Sequence, residues 1–123
     1  MIIKTKQIKG EGRGRELGFP TINMIVPDDI HMEEGVYASW FDIDGNIYKS
    51  AIHFGAVPTF GQREVTLEAH LIDIIDDNMP YIGENSIELD IVEKIREVEN
   101  FSDIEDLIIQ IDDDVNKARF MLK

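Results

Sequence analysis

The chain has 123 residues, 43% of them hydrophobic and 30% charged, which fits one compact globular unit over residues 1–123 with a single core. Twelve Lys and Arg against twenty-five Asp and Glu give a net charge of −13, which argues against nucleic acid or an anionic membrane as the main partner. Cysteine is absent, so a disulfide framework and Cys-ligated metal sites are excluded, and a reducing cytoplasmic setting is expected. No stretch approaches the roughly 20 apolar residues of a membrane span.

The N-terminal segment departs from the acidic average. Residues 1–15 hold Lys4, Lys6, Lys9, Arg13 and Arg15 against Glu11 alone. An acidic protein that handles an anion needs such a local positive spot; a solvated basic strand is the plainer reading. Gly10-Glu11-Gly12-Arg13-Gly14-Arg15-Glu16-Leu17-Gly18 follows, with four glycines in nine positions. Glycines let backbone N–H groups turn toward a phosphate and the arginines add charged donors, although a Gly-rich run also serves as a simple turn. It is neither a Walker A sequence, since Gly-Lys-Ser/Thr is missing, nor a dinucleotide fingerprint, since no helical pattern follows.

In Phe19-Pro20-Thr21-Ile22-Asn23, Thr21 and Asn23 stand two apart, so an extended backbone puts both oxygen-bearing side chains on one face. Two neutral oxygens suit Mg²⁺ when phosphates complete the shell; otherwise they bond backbone at a strand end. Gly35 to Ile43 reads as a strand, Asp44-Gly45 as a hairpin turn and Ile47 to Phe54 as the returning strand. Val65 to Asp73 alternates, with Val65, Leu67, Ala69 and Leu71 on one face and Thr66, Glu68 and His70 on the other. Glu68 lies between apolar neighbours, so it is either a partly buried general base or a carboxylate on an exposed strand face. His31, His53 and His70 have no metal-motif spacing and receive little weight. Ser86 to Ile95 alternates again as a strand.

From Ser102 the period changes. Ile104, Leu107, Ile108, Ile111, Val115, Ala118 and Leu122 form a helical stripe, and Ser102 with Glu105 predicts a capping box. Strands followed by one helix predict a mainly-β barrel with the helix packed on it. The acidic pairs and runs at Asp76-Asp77 and Asp112-Asp113-Asp114 lack calcium-loop spacing and read as solvated acids.

The segment Gly10 to Asn23 closely resembles the G-x-G-R-G-x-x-L-G-F-P-T-A-N signature of the riboflavin kinase (flavokinase) family, with Ile22 in place of Ala. The resemblance continues through Gly35-Val36-Tyr37-Ala38, Gly55-Ala56-Val57-Pro58-Thr59-Phe60, Leu67 to Asp73, Ile95-Arg96 with Asn100-Phe101-Ser102, and Leu107 to Arg119. It implies a six-stranded antiparallel Greek-key barrel with a C-terminal α-helix. The activity it implies is transfer of the ATP γ-phosphate to the 5′-hydroxyl of riboflavin, giving FMN and ADP. By the same resemblance Thr21 and Asn23 hold Mg²⁺ and nucleotide phosphates. Gly10, Gly12, Arg13, Gly14 and Arg15 cover those phosphates, Glu68 is the base, and the flavin lies near Arg96, Glu99 and Phe101. The expected protein is a cytoplasmic monomer without an FAD synthetase domain, stopping at FMN. A non-catalytic flavin- or nucleotide-binding module on the same barrel is the alternative; three aligned groups at Thr21, Asn23 and Glu68 speak against it.

Overall fold

The computed structural model describes residues 1–8, 20–59, 62–74 and 78–123. Six strands form one antiparallel sheet: β1 (Ile2–Thr5), β2 (Thr21–Met24), β3 (Gly35–Ile43), β4 (Asn46–Thr59), β5 (Gln62–Leu71) and β6 (Ile87–Arg96). One helix, α1 (Ile104–Met121), follows. The spatial order β1-β6-β3-β4-β5-β2 is a Greek key, because β3, β4 and β5 run as a meander and β6 returns to lie beside β3. The outer strands β1 and β2 meet where Gln7 bridges Met24. There the Ile8 N–H donates to the Asn23 carbonyl at 2.8 Å and the Ile25 N–H to the Lys6 carbonyl at 2.9 Å. The sheet therefore curls into a half-barrel whose edges touch at that point.

Local chemistry accounts for most of these elements. Asp44 and Gly45 have φ of 52° and 84°, the left-handed pair that a two-residue hairpin needs, and the Gly45 N–H donates to Asp42 Oδ1 at 3.1 Å. The β4 strand runs five residues beyond the predicted Phe54, through Pro58. Its β3 partner ends at Gly35 opposite Phe54, so Pro58 lies where one edge of β4 has no β3 neighbour to receive an N–H. At α1 the predicted Ser102 cap is corrected by one residue: Asp103 is the N-cap, and its Oδ1 accepts from the Glu105 N–H at 2.9 Å. Ile104, counted in the apolar stripe, lies in the first turn and is exposed.

The two faces of the sheet bury different things. The concave face holds the main core, including Ile22, Met24, Phe41, Ile52, Leu67 and Leu89. Alternation then puts Val36, Ala38, Ala51, His53, Glu68 and Asn23 on the convex face. Ala38 and Ala51 are small enough for α1 to approach, and they pack with Val115, Ala118 and Leu122 in a second cluster. The helix covers β3, β4 and β6 and leaves the convex face of β2 and β5 beside it. Among the described residues, no helix is long and apolar enough to cross a membrane.

Candidate active site

Strand register assembles the site. Asn23 of β2 pairs with Glu68 of β5, Glu68 with His53 of β4, His53 with Val36 of β3, and Val36 with Arg96 of β6. Side chains directly opposite across strands share a face, with Cβ atoms about 4.5–5.5 Å apart in a regular pair. One belt of side chains, polar except at Val36, thus crosses the convex face from β2 to β6. In the adjacent belt Thr21 pairs with His70, which places Thr21 diagonal to Glu68.

Each group in the belt has a distinct environment. Glu68 is half-buried, with Thr66 Oγ1 at 3.5 Å from its Oε2 and the same hydroxyl at 3.5 Å from the Gly55 carbonyl. Thr21 Oγ1 is cut off from solvent and has no hydrogen-bond partner; His53 Nδ1 is the other such side-chain atom among the described residues. Burial pushes the His53 pKa below its ordinary value; Glu68 and Asp114 act against that shift, while Arg96 adds to it. Burial also lowers His70, whose Nδ1 lies 3.0 Å from the Pro20 carbonyl.

Arg96 closes the belt on the helix side. Its Nε and Nη2 each lie 2.8 Å from an oxygen of Asp114, a buried residue of α1, in a two-pronged ion pair. Gln110 Nε2 donates to the same carboxylate at 3.0 Å, and Arg96 Nη1 donates to the Glu97 carbonyl at 3.0 Å. The guanidinium stands 5.9 Å from the Phe101 ring centroid. Nearby, the segment after β6 closes onto β4 at Gly55, where an added Cβ would meet Val98 Cγ2 at 2.7 Å and Glu34 Oε1 at 3.0 Å. Glu34 Oε1 accepts from the Ala56 N–H at 2.8 Å, and Lys94 pairs with Glu33 and Glu97 at 3.1 and 2.6 Å.

The structure thus brings Thr21, Asn23 and Glu68 together and sets Arg96 in the same belt three strands from Glu68. Phe101 joins through Arg96, and Glu99 is exposed. Gly10, Gly12, Arg13, Gly14 and Arg15 lie outside the described residues. His53, given little weight from sequence, proves to face Glu68, and Asp114, read as a solvated acid, is buried against Arg96. The available signal for His53 was the β4–β5 hairpin register, which Thr59 opposite Gln62 sets along its whole length.

The riboflavin kinase (flavokinase) family profile matches residues 1–122. The chain belongs to the riboflavin kinase family. It is 31% identical over 117 residues to a bifunctional riboflavin kinase/FMN adenylyltransferase of Bacillus subtilis, covering 94% of this chain and 37% of that protein. To the human riboflavin kinase it is 28% identical, covering 94% of this chain and 77% of the other. The chain spans less than half the length of the first bacterial relatives it matches. Among solved structures it is similar to riboflavin kinase from Trypanosoma brucei, with TM-score 0.64, 19% identity and coverage of 98% of this chain and 78% of that one. A Streptococcus pneumoniae chain described as a macrolide-efflux protein superposes with TM-score 0.81 at 24% identity, covering 96% of this chain and 38% of that one. At these identities the structural likeness carries the fold of the family.

A divalent cation with phosphates fits the donor set. Among the described residues no three His, Asp or Glu gather as a metal site, so carboxylate-rich or His-rich binding is not what the belt offers. It offers the unpartnered buried hydroxyl of Thr21 and the Asn23 side chain, neutral donors whose remaining positions phosphate oxygens would fill.

Proposed function

We propose that the chain is an ATP-dependent riboflavin kinase, converting riboflavin to FMN with release of ADP. The observation that carries this reading is Glu68 in register with Asn23 and diagonal to the unpartnered hydroxyl of Thr21. Phosphoryl transfer asks a protein for positioning and charge neutralisation more than for covalent chemistry. Thr21 and Asn23 would hold Mg²⁺, which when bound neutralises phosphate charge. Glu68 takes the proton of the riboflavin 5′-hydroxyl as that oxygen forms its bond to the γ-phosphorus and the bond to the ADP oxygen breaks.

The glycines and arginines at 10, 12, 13, 14 and 15 are assigned to the nucleotide phosphates by family likeness. The flavin is assigned to the segment from Arg96 through Glu99 to Phe101. Arg96 spends its guanidinium on Asp114 and the Glu97 carbonyl, so its part there is to hold the segment and Phe101 in place. A cytoplasmic location, where ATP and Mg²⁺ are plentiful, belongs to the same reading.

The test is FMN formation from riboflavin, ATP and Mg²⁺, followed by chromatography, with Glu68→Gln beside the wild type. Loss of a positioned general base costs about 10²–10⁴ in turnover. We expect kcat to fall about a thousandfold while nucleotide affinity stays within twofold. Wild-type turnover in Glu68→Gln removes the base assignment, and flavin binding without FMN in the wild type favours the binding module.

A further inference from the structure

His53 has no role in the chemistry above, yet it is the residue directly across the hairpin from Glu68. Its Nδ1 is closed to water and unpartnered, an unfavourable state for a buried polar atom. The two orphaned atoms, Thr21 Oγ1 and His53 Nδ1, flank Glu68 on opposite sides, one from β2 and one from β4. Burial disfavours the charged imidazole and lowers its pKa, and Arg96, anchored by Asp114, disfavours a second positive charge beside it. Glu68 and Asp114 are the acids that face it.

A neutral imidazole presents one donor and one acceptor, which suits a hydroxyl that is itself both. It does not suit a phosphate oxyanion, which calls for a cation or several N–H donors, nor an apolar ring face, which needs no partner. The assigned flavin segment reaches β4 at the same place, since Val98 sits against Gly55, two residues from His53 on the same strand face.

We propose that His53, juxtaposed to Glu68 across β4 and β5, is a substrate-positioning residue whose Nδ1 engages a hydroxyl of the flavin's polyol chain. It thereby holds the chain's terminal hydroxyl at Glu68. The convex face is then ordered across the strands: phosphates at β2, base at β5, polyol at β4. This inference rests on the riboflavin kinase reading.

The experiment titrates the full chain, with Mg²⁺ and ADP present, against riboflavin and against lumiflavin, which has the same ring system without the polyol, following flavin fluorescence. His53→Ala is expected to weaken riboflavin about tenfold, the worth of one hydrogen bond to a buried group, and to raise the riboflavin KM equally. Lumiflavin affinity and the ATP KM stay within twofold, and His53→Asn, which keeps a hydrogen-bonding group, recovers most of the loss. Unchanged riboflavin affinity, or an equal loss for both flavins, overturns the role of His53. Should His53→Ala melt too early to titrate, His53→Val replaces it with the same expectation. Absence of FMN from the wild type overturns the kinase reading itself, whereas FMN formation with an unmoved riboflavin affinity in the variants overturns His53 alone.

Discussion

The two faces of the sheet treat buried polar groups in opposite ways. Inside the barrel, Ser39 and Ser50 are as fully buried as Phe41, and each hydroxyl has a partner: Ser50 Oγ donates to the Ser39 carbonyl at 2.7 Å and Ser39 Oγ to the Trp40 carbonyl at 3.0 Å. On the convex face Thr21 Oγ1 and His53 Nδ1 are also cut off from water and have none. The interior is finished by the chain alone. The convex face is left incomplete at the two positions that flank Glu68, which is what a site built for a ligand looks like energetically: unfavourable polar burial is kept where a substrate can relieve it.

The largest stability effect is expected where the convex face is complete, at Arg96 and Asp114. Removing one partner of a buried, two-pronged ion pair strands the other charge, so Asp114→Ala should lower unfolding free energy by about 3 kcal/mol in urea titrations. Replacing both residues with leucine should restore much of it, because two apolar side chains leave no orphaned charge. A double variant no more stable than Asp114→Ala would mean that the site depends on the charges themselves.

A smaller effect separates the faces directly. Ser50→Ala in the interior deletes a satisfied hydrogen bond and takes from the Ser39 carbonyl its side-chain donor, at a cost of about 1 kcal/mol. Thr21→Val removes a hydroxyl that has no partner and keeps the β-branched shape, so stability should hold or rise by up to about 1 kcal/mol. FMN formation should nonetheless drop in Thr21→Val and persist in Ser50→Ala. If Thr21→Val loses stability as Ser50→Ala does, the hydroxyl is a structural group and the contrast between the faces fails.

Much of this was legible in the sequence because it depended on local pattern. Asp44-Gly45 names its own turn, the period of 2 in Val65 to Leu71 separates Leu67 and Ala69 from Glu68, and the spacing of Thr21 and Asn23 already put both on one face. What local pattern cannot supply is which residue of another strand lies opposite. His53 sits in an apolar run just ahead of the Gly55 to Phe60 segment, and only the pairing of β4 with β5 makes it the neighbour of Glu68. Asp114 misled for the same reason: it stands in a run of three acids on a helix, and its burial comes from Arg96, eighteen residues earlier at the end of β6. The helix cap slipped from Ser102 to Asp103 because both side chains can accept from the second N–H beyond them, and only the backbone angles of Asp103 decide.

The gentlest test of the contrast is acid. Burial lowers the pKa of both His53 and His70 from 6.5, while in the unfolded chain each returns near that value. Between the folded and unfolded pKa values the unfolded state binds more protons, so stability must rise with pH across that window. The contribution is fully present above 6.5 and is lost as pH falls below it toward the folded values. Inside the barrel the Tyr37 phenol is pushed above 10.0 by burial and does not titrate in that window. Urea titrations of the ligand-free protein from about pH 5 to 7 should therefore show a slope that shrinks in His53→Asn and again when His70→Asn is added. An unaltered slope in the double variant would place the acid sensitivity elsewhere, in the carboxylates, and would mean that the convex-face histidines are no harder to protonate folded than unfolded. Resistance to protonation is what suits the imidazole of His53 to a hydroxyl, so the slope tests the electrostatic half of that assignment without any substrate present.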